Sequence, residues 1–304
     1  MKIKIIISLI SLLILCSTAV NAQQEPHFTQ FFDNTLFVNP AYAGSNKMLS
    51  ATGIHREQWV GFEGRPTSST FSIHSPLKYE SIGIGFTAVR DIIGPLKQNM
   101  LYADFSYTLR FKKKRSLAFG LKAGLNIINL GKDQLATTQL NDPNLVTNVL
   151  NHVNPNFGGG IYYRAPKFFL GVSSPKILEQ SYDGSATNIE RRHYFAIIGG
   201  IISLNRDWKL RPSGQFKMVL NAPISIDMSL ASIYRDKLWI GAMYRLDAAV
   251  GAFVQLQLSK QFRLGLASDF GTQAIRNYND GTFELLMSYD FSFQKAGVRS
   301  PRYF

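Results

Sequence analysis

The sequence predicts an all-β fold: a transmembrane antiparallel β-barrel of 14 strands, with an irregular N-terminal segment as a plug or rim element. Three observations predict it. Segments of about ten residues that alternate apolar and polar side chains recur along the chain. The connections between them tend to alternate short and long, as in bacterial barrels with short periplasmic turns and longer external loops. After Leu15, no apolar run approaches the roughly 18 residues that a membrane-spanning helix needs.

The segment from Thr282 to Phe293 shows the alternation most clearly. Every second residue is aromatic or aliphatic, the residues between are polar, and Leu286 is the one exception. Successive side chains of a strand point to opposite faces, so this strand would face lipid on one side and a polar lumen on the other. A sandwich strand would show the pattern once, but here it recurs. The predicted strands are 48–56, 67–75, 81–89, 101–110, 116–127, 156–164, 167–174, 192–204, 208–217, 224–230, 238–246, 250–258, 262–270 and 282–293.

The first 22 residues have the features of a cleaved signal peptide. Lys2 and Lys4 form a basic start, residues 5–15 an apolar run, and Ala22 ends a stretch of small residues. We therefore expect the chain to be exported. Its single cysteine, Cys16, lies in this segment, so the mature chain would have neither disulfides nor thiolate metal sites. The expected regions are a signal peptide at 1–22, an irregular segment at 23–47, the barrel at 48–293 and a basic periplasmic tail at 294–304.

Loop lengths orient this barrel. Connections after even-numbered strands are short and are assigned to the periplasm, and those after odd-numbered strands are assigned to the outside. Five of the seven external connections are longer than the turns, whereas those near 218–222 and 247 are tight. The longer external connections are predicted at 57–66, 90–98, 130–155, 175–191 and 271–281.

Positive charge collects at the predicted periplasmic end. The sequence has 33 Lys and Arg against 20 Asp and Glu, and without Lys2 and Lys4 the count is 31 against 20, a net charge of +11. An exported chain seldom meets nucleic acid, so the charge predicts an anionic surface or partner outside the cytoplasm. The basic rim is either a solvated collar near lipid headgroups or a docking surface for an acidic periplasmic protein or peptidoglycan. Its cations are Lys78, Lys112, Lys113, Lys114, Arg115, Lys167, Arg206, Arg235, Lys237, Lys260, Lys295, Arg299 and Arg302, against Glu80, Asp207 and Asp236.

The charges predicted to face the lumen are nearly balanced. An ion-selective pore would favour one sign, so the balance predicts a network of paired charges that fills or gates the lumen. The predicted cations are Arg110, Lys122, Arg164, Arg211, Arg245 and Arg263, and the predicted anions are Asp104, Asp227, Asp269, Glu284 and Asp290.

Catalytic and metal motifs are absent from the sequence. None of the five histidines has metal-ligand spacing with another His, Asp or Glu, and no catalytic constellation stands out. His55 and His74 could approach each other across the first hairpin, although tertiary hydrogen bonding explains them better. Gly158-Gly159-Gly160 lacks the lysine of a phosphate loop and is better explained by a crowded lumen or a barrel bend. The sequence therefore predicts no enzyme, no cofactor and no bound metal.

Five short motifs occur in order along the chain. They are Phe28-Thr29-Gln30-Phe31, Asn39-Pro40-Ala41-Tyr42-Ala43-Gly44-Ser45, His55-Arg56-Glu57-Gln58-Trp59-Val60-Gly61-Phe62 with Gly64 and Pro66, His74-Ser75-Pro76-Leu77, and Ser300-Pro301-Arg302-Tyr303-Phe304. Together they resemble the PorP/SprF family of outer-membrane proteins. The resemblance implies an outer-membrane barrel that works with the type IX secretion system and gliding motility. It also implies partners: secreted surface adhesins with a type B C-terminal domain, and secretion or motility subunits, some of them periplasmic. It supplies no catalytic residues.

Three groups of residues are candidates for partner contact. In the first external loop, aromatic residues either pack in the interface belt, where Trp is common, or contact an exported partner. The Lys-Lys-Lys-Arg turn belongs to the basic rim, and the tail is either a barrel-assembly signal or a docked peptide. The candidates are Gln58, Trp59, Phe62, Lys112, Lys113, Lys114, Arg115, Arg299, Arg302, Tyr303 and Phe304.

The leading prediction is a non-enzymatic outer-membrane component, surrounded by outer-membrane lipid, that receives or anchors an exported surface protein and contacts periplasmic machinery. The alternative is an outer-membrane channel for small or hydrophobic substrates, closed by the N-terminal segment.

Overall fold

The computed structural model describes residues 25–78, 80–131, 149–181, 189–220 and 222–291. Within these ranges, 14 antiparallel strands form one closed sheet, as the sequence predicts. The predicted signal peptide and basic tail lie outside the described residues. The strands are β1 (Leu49–Glu57), β2 (Thr67–Pro76), β3 (Ile82–Ile93), β4 (Leu96–Phe111), β5 (Arg115–Leu130), β6 (Val149–Arg164), β7 (Phe168–Ser174), β8 (His193–Gly200, continued by Ile202–Ser203), β9 (Trp208–Val219), β10 (Ser225–Tyr234), β11 (Leu238–Arg245), β12 (Ala249–Gln257), β13 (Phe262–Gly271) and β14 (Thr282–Phe291).

Each strand pairs with its neighbours in the chain, and β1 pairs with β14 to close the barrel. In this closing pair Leu49 lies opposite Phe291 and Glu57 opposite Phe283. Closure leaves no long free sheet edge, which suits a sheet surrounded by lipid. A small additional hairpin, Gln180–Ser181 with Ile189–Glu190, lies in the connection between β7 and β8.

The two faces of the wall differ as the alternation predicts. On β14, Phe283 and Met287 are exposed on the outer face, while Glu284 and Ser288 are buried on the inner face. Leu286 breaks the polar row and is fully buried in the apolar cluster that contains the N-terminal segment. The outer face therefore suits hydrocarbon, and the inner face faces a lumen filled by protein.

One end of the barrel has short turns and the other has longer loops. A 3₁₀ turn (Lys112–Lys114) makes the β4–β5 turn, and another (Ala274–Tyr278) lies in the β13–β14 loop. The predicted long loop at 90–98 is wrong. Arg90 pairs with Asn99, and Ile93 pairs with Leu96, so β3 and β4 continue to a tight turn.

The N-terminal segment fills the lumen as a plug, which we define as residues 25–47. Two 3₁₀ turns, Phe31–Asn34 and Pro40–Tyr42, flank one α-turn, Thr35–Val38. Most of its apolar residues are buried, including Leu36 and Ala41, and these belong to the main apolar cluster of the described chain. No helix in the described ranges has the length and apolar character needed to cross a bilayer.

Candidate functional site: a plugged lumen between two rims

The first contact between plug and wall joins residues from two of the motifs that resemble the PorP/SprF family. The backbone N–H groups of Thr29 and Gln30 donate to the Glu284 carboxylate at 2.8 and 2.9 Å. The Thr29 hydroxyl donates to Asp269 at 2.6 Å. Arg56 of β1 donates to the same Asp269 and also to Thr29 Oγ1 at 3.1 Å. The five residues form one buried network, which we call the Arg56 anchor.

The Arg56 anchor buries one cation with two anions. Taking charges out of water is costly, so each must be held by hydrogen bonds or by an opposite charge. Arg56 lies 2.5 Å from Asp269 Oδ2 and 3.4 Å from Glu284 Oε2, and the side chains are almost fully buried. The plug supplies the remaining donors to Glu284. The two acids of the wall therefore need both Arg56 and the plug.

A second anchor, the Asp33 anchor, holds the middle of the plug. The Asp33 carboxylate accepts from Arg263 at 2.9 Å and from Gln255 at 2.7 Å, and lies 3.5 Å from Arg211. Burial favours the neutral acid, but Arg263 and Arg211 hold the pKa of Asp33 below its ordinary value. The Arg211 guanidinium also lies 5.5 Å from the ring centre of Phe32, a cation–π contact between the wall and the plug.

A third anchor uses backbone carbonyls of the plug. Lys122 of β5 donates to the carbonyl oxygens of Leu36 and Phe37 at 3.2 and 3.3 Å. The same ammonium lies 3.2 Å from Asp104 of β4, and both side chains are buried. These carbonyls lie near the end of the single α-turn, where a cation is favourable.

A chain of charges surrounds the start of the plug. Glu25 lies 2.5 Å from Lys176, and Lys176 lies 2.6 Å from Glu190. Lys217 contacts His27 Nε2 at 2.7 Å, while Asp227 lies 3.7 Å from His27 Nδ1. Burial, together with Lys217 and Arg245, lowers the pKa of His27 to about 3. His27 is therefore neutral at neutral pH while the plug is seated.

The Asn-Pro-Ala-Tyr-Ala-Gly-Ser motif folds around His74. Gly44 N–H donates to His74 Nδ1 at 3.1 Å, and Asn46 lies 3.2 Å from Nε2. Gly44 has a φ of +70°, which glycine adopts without strain. Asn39 caps the following turn by accepting from Ala41 N at 3.0 Å. The Asn39–Ser45 motif and the motif that begins at His74 therefore form one contact.

Glycines of the wall admit the plug. A β carbon at Gly120 would overlap the backbone of Ala41, and one at Gly160 would overlap the Asn39 side chain. Gly158 has the same relation to Pro175, which belongs to the β7–β8 connection. Gly158 and Gly160 thus lie against a crowded lumen, one of the two explanations offered by the sequence.

Most of the charges predicted to line the lumen are buried and paired there. Arg110 differs: it is exposed at the short-turn end and pairs with Glu80. Arg164 donates to the Ser45 carbonyl at 2.8 Å, and Asp290 is partly buried. The buried and paired set is Lys122, Arg211, Arg245, Arg263, Asp104, Asp227, Asp269 and Glu284.

Sequence reasoning missed Arg56, Lys217 and the acids of the plug as lumen charges. The available signal was the parity of β1 and β9, since Arg56 follows the buried Ser50, Thr52 and Ile54 at steps of two. The possible approach of His55 to His74 is wrong. His55 is exposed on the outer face and contacts Ser69 Oγ at 2.8 Å, whereas His74 is buried inside. Within the described ranges, no three His, Cys, Asp or Glu residues form a metal-binding group.

At the long-loop end of the barrel, the β1–β2 loop is hydrogen-bonded to the β13–β14 loop. Val60 N donates to the Gly281 carbonyl at 2.9 Å, and Asp280 N donates back to Val60 O at 2.8 Å. Trp59 and Phe62 meet edge to face with ring centres 6.4 Å apart, and Phe62 is 40% exposed. Gln58 N donates to Pro66 O. The three candidates of the β1–β2 loop therefore lie on one ordered surface at the long-loop end.

The short-turn end carries the basic rim. Lys112, Lys113, Lys114 and Arg115 are all exposed and form no ion pair with another described residue. The rim's acids are occupied by other cations: Asp207 pairs with Arg235, Asp236 with Lys209, and Glu80 with Arg110. The hydrogen bond from Arg110 lowers the pKa of Glu80. The candidates Arg299, Arg302, Tyr303 and Phe304 lie outside the described residues.

The fold and the site define an outer-membrane β-barrel whose lumen is occupied by its own N-terminal segment. The family model of PorP/SprF, type IX secretion system membrane proteins, matches residues 20–289. The chain belongs to this family and is an outer-membrane component of type IX secretion.

Solved structures share the barrel at low identity. The CymD monoaromatic hydrocarbon channel is 14% identical, covers 85% of this chain and 92% of its own, and has a TM-score of 0.52. A deletion mutant of the TodX monoaromatic hydrocarbon channel is 12% identical, covers 85% and 94%, and has a TM-score of 0.50. Omp33 of Acinetobacter baumannii is 9% identical, covers 81% and 98%, and has a TM-score of 0.48. A search of curated proteins finds no match. At these identities the likeness concerns the fold alone.

Proposed function

We propose that this barrel is a non-enzymatic docking component of type IX secretion, which holds an exported surface protein outside and contacts periplasmic machinery through its basic rim. The observation that carries the proposal is the seated plug. The Arg56 and Asp33 anchors hold it to several strands through buried charges. A lumen closed in this way is a poor route for solutes, which weighs against the alternative of a channel. The outer surfaces at the two ends are then the places for function.

The external surface suits a protein partner. Trp59 and Phe62 form an aromatic pair on an ordered loop, and exposed aromatic residues are frequent anchors of interfaces. The clasp between Val60 and Gly281 pre-orders this loop, which reduces the entropy lost on binding. The family resemblance implies an adhesin with a type B C-terminal domain as the occupant.

The basic rim suits an acidic periplasmic partner, such as a secretion or motility subunit. Lys113 and Lys114 have φ values of 61° and 57°, a left-handed conformation that favours glycine or asparagine. Keeping lysines there at a local cost supports a role for their charge rather than for the turn itself.

The proposal is tested by charge reversal. In the full-length protein, changing Lys112, Lys113, Lys114 and Arg115 to glutamate should leave the barrel folded and abolish co-purification of periplasmic subunits in mild detergent. The matched control reverses four exposed cations at the opposite end, and it should retain these subunits. Unchanged co-purification by the first variant would refute the docking role of the rim. The control residues are Arg65, Arg90, Lys97 and Arg276.

A further inference from the structure

The outer wall has a groove of about 590 Å³ across β7, β8, β9 and β10. The floor of the groove is formed by residues with little or no side chain, namely Gly200, Pro212 and Gly214. The outer surface of the wall is therefore recessed at this point. Larger apolar residues surround them. These are Phe168, Ile198, Ile202, Phe216 and Met228.

An interruption of β8 accounts for the groove. The ladder with β9 pairs Gly199 with Ser213 and resumes with Ile202 opposite Leu210. Between these pairs, Ile201 turns inward and its N–H donates to Lys167 O at 2.7 Å. Pro212 lies on the opposite strand and has no N–H to donate. The register is kept across the gap, so the defect is local.

Lys167 lines one end of the groove and indicates the chemistry of its occupant. It lies in the short β6–β7 turn, at the end assigned to the periplasm, and it is exposed. It forms no ion pair with another described residue. The remaining lining is almost entirely apolar, and this part of the wall faces the bilayer. An apolar slot with one cation at the headgroup level fits a molecule with a hydrocarbon chain and an anionic head.

We propose that the groove is a specific site for one phospholipid of the periplasmic leaflet. One acyl chain lies over Gly214 between Ile198 and Phe216, and the phosphate contacts the Lys167 ammonium. This site is independent of the proposed docking function, because it lies on the outer wall and uses none of the Lys112–Arg115 turn.

Filling the groove tests the proposal. A β carbon at Gly214 would lie 3.5 Å from Ile198 and 3.8 Å from Phe216, which are ordinary contacts, so Gly214→Leu places its side chain in the groove without moving the backbone. The matched control is Gly159→Leu, since Gly159 faces outward on β6 and the nearest atom to its added carbon would be Gly120 O at 3.6 Å.

The measurement is native mass spectrometry of the full-length protein extracted from membranes in mild detergent. Wild type and Gly159→Leu should each retain one phospholipid, and Gly214→Leu should retain about tenfold less, because the leucine displaces several buried methylenes. Gel mobility with and without heating confirms that each barrel is folded. Equal retention of phospholipid by wild type and Gly214→Leu would overturn the proposal. The proposal would also fail if the extra mass proved to be an acyl group covalently attached to the protein.

The headgroup contact is tested separately. Lys167→Gln should lose the preference for anionic over zwitterionic phospholipid in an exchange series, whereas Lys237→Gln, at another exposed rim lysine, should keep it. An unchanged preference in Lys167→Gln would remove the phosphate contact from the proposal.

Discussion

Arg56 on β1 holds Asp269 on β13 through two hydrogen bonds, 2.5 Å from Nη1 to Oδ2 and 3.2 Å from Nη2 to Oδ1. β14 lies between these two strands, so the pair spans one strand across the curved inner face. Arg56 also reaches Glu284 on β14 and Thr29 in the plug. One guanidinium therefore ties three strands to the N-terminal segment, close to the seam where the barrel closes.

Removing Arg56 should destabilise the barrel strongly. Arg56→Met leaves Asp269 and Glu284 buried without their cation, and breaking a buried ion pair typically costs about 3–5 kcal/mol. The free energy of unfolding, measured by urea titration in detergent micelles with tryptophan fluorescence, should fall by this amount. The control is Arg65→Met, which removes an exposed pair with Glu57 and should change stability by at most about 1 kcal/mol. Equal effects of the two variants would contradict the anchor.

The sequence predicts the strands well, because each residue of a barrel faces one of two media. The alternation marks all fourteen strands, yet it ends near Ala88 on β3, while the strand continues to Ile93. Arg90 and Lys97 point outward there, where apolar side chains are expected within the bilayer. Apolar outer residues are required only where a strand crosses the bilayer, so the alternation ends at the edge of the lipid. The strand itself can continue beyond that edge.

Local sequence patterns could not predict the contacts between the plug and the wall. Thr29 meets Glu284, which is 255 residues away, and Asp33 meets Arg263. Period-two reasoning assigns a side chain to a face but does not say what else occupies the lumen. Leu286 illustrates this limit: it violates the polar row because the lumen at its position holds apolar plug residues rather than water.

Enlarging Gly120 should displace the plug. A β carbon there would overlap the Ala41 backbone, so Gly120→Val cannot keep both the wall and the seated plug, and overpacking of this kind costs about 1–3 kcal/mol. Protease treatment of the folded variant in detergent should cleave the plug, while wild type resists. Gly159→Val adds the same side chain to the outer face, and its plug should stay protected. Protection of the plug in Gly120→Val would show that the close contact is not required.

Acid should loosen the plug through His27. The pKa of His27 is about 3 with the plug seated, against an ordinary value near 6.5 when the residue is in water. A group whose pKa is lowered in the bound state resists protonation there, so release takes up a proton and becomes more favourable as pH falls below about 6.5. The open fraction should therefore rise by about 25-fold between pH 7 and pH 5.

Single-barrel conductance in planar bilayers measures this release. Wild type should be nearly silent at pH 7 and should open more often at pH 5. His27→Gln keeps a polar side chain that does not titrate, so its opening should be almost independent of pH in this range. A wild-type barrel that conducts steadily at pH 7 would support the channel alternative, and an identical pH response in His27→Gln would exclude His27 as the sensor.

The β4–β5 turn allows charge and stability to be separated. Lys113 and Lys114 both have positive φ, as do the two central residues of a type I′ turn, for which Asn-Gly is the preferred sequence. Lys113→Asn with Lys114→Gly should therefore relieve strain and leave the barrel at least as stable in urea titration. The same variant removes two unpaired cations from the rim and should weaken co-purification of periplasmic subunits.

A control with Arg235→Asn and Asp236→Gly, the corresponding left-handed pair in the β10–β11 turn, leaves the net charge of the rim unchanged and should retain these subunits. If the first variant binds its partner as wild type does while the turn is stabilised, the lysines are not part of the docking surface.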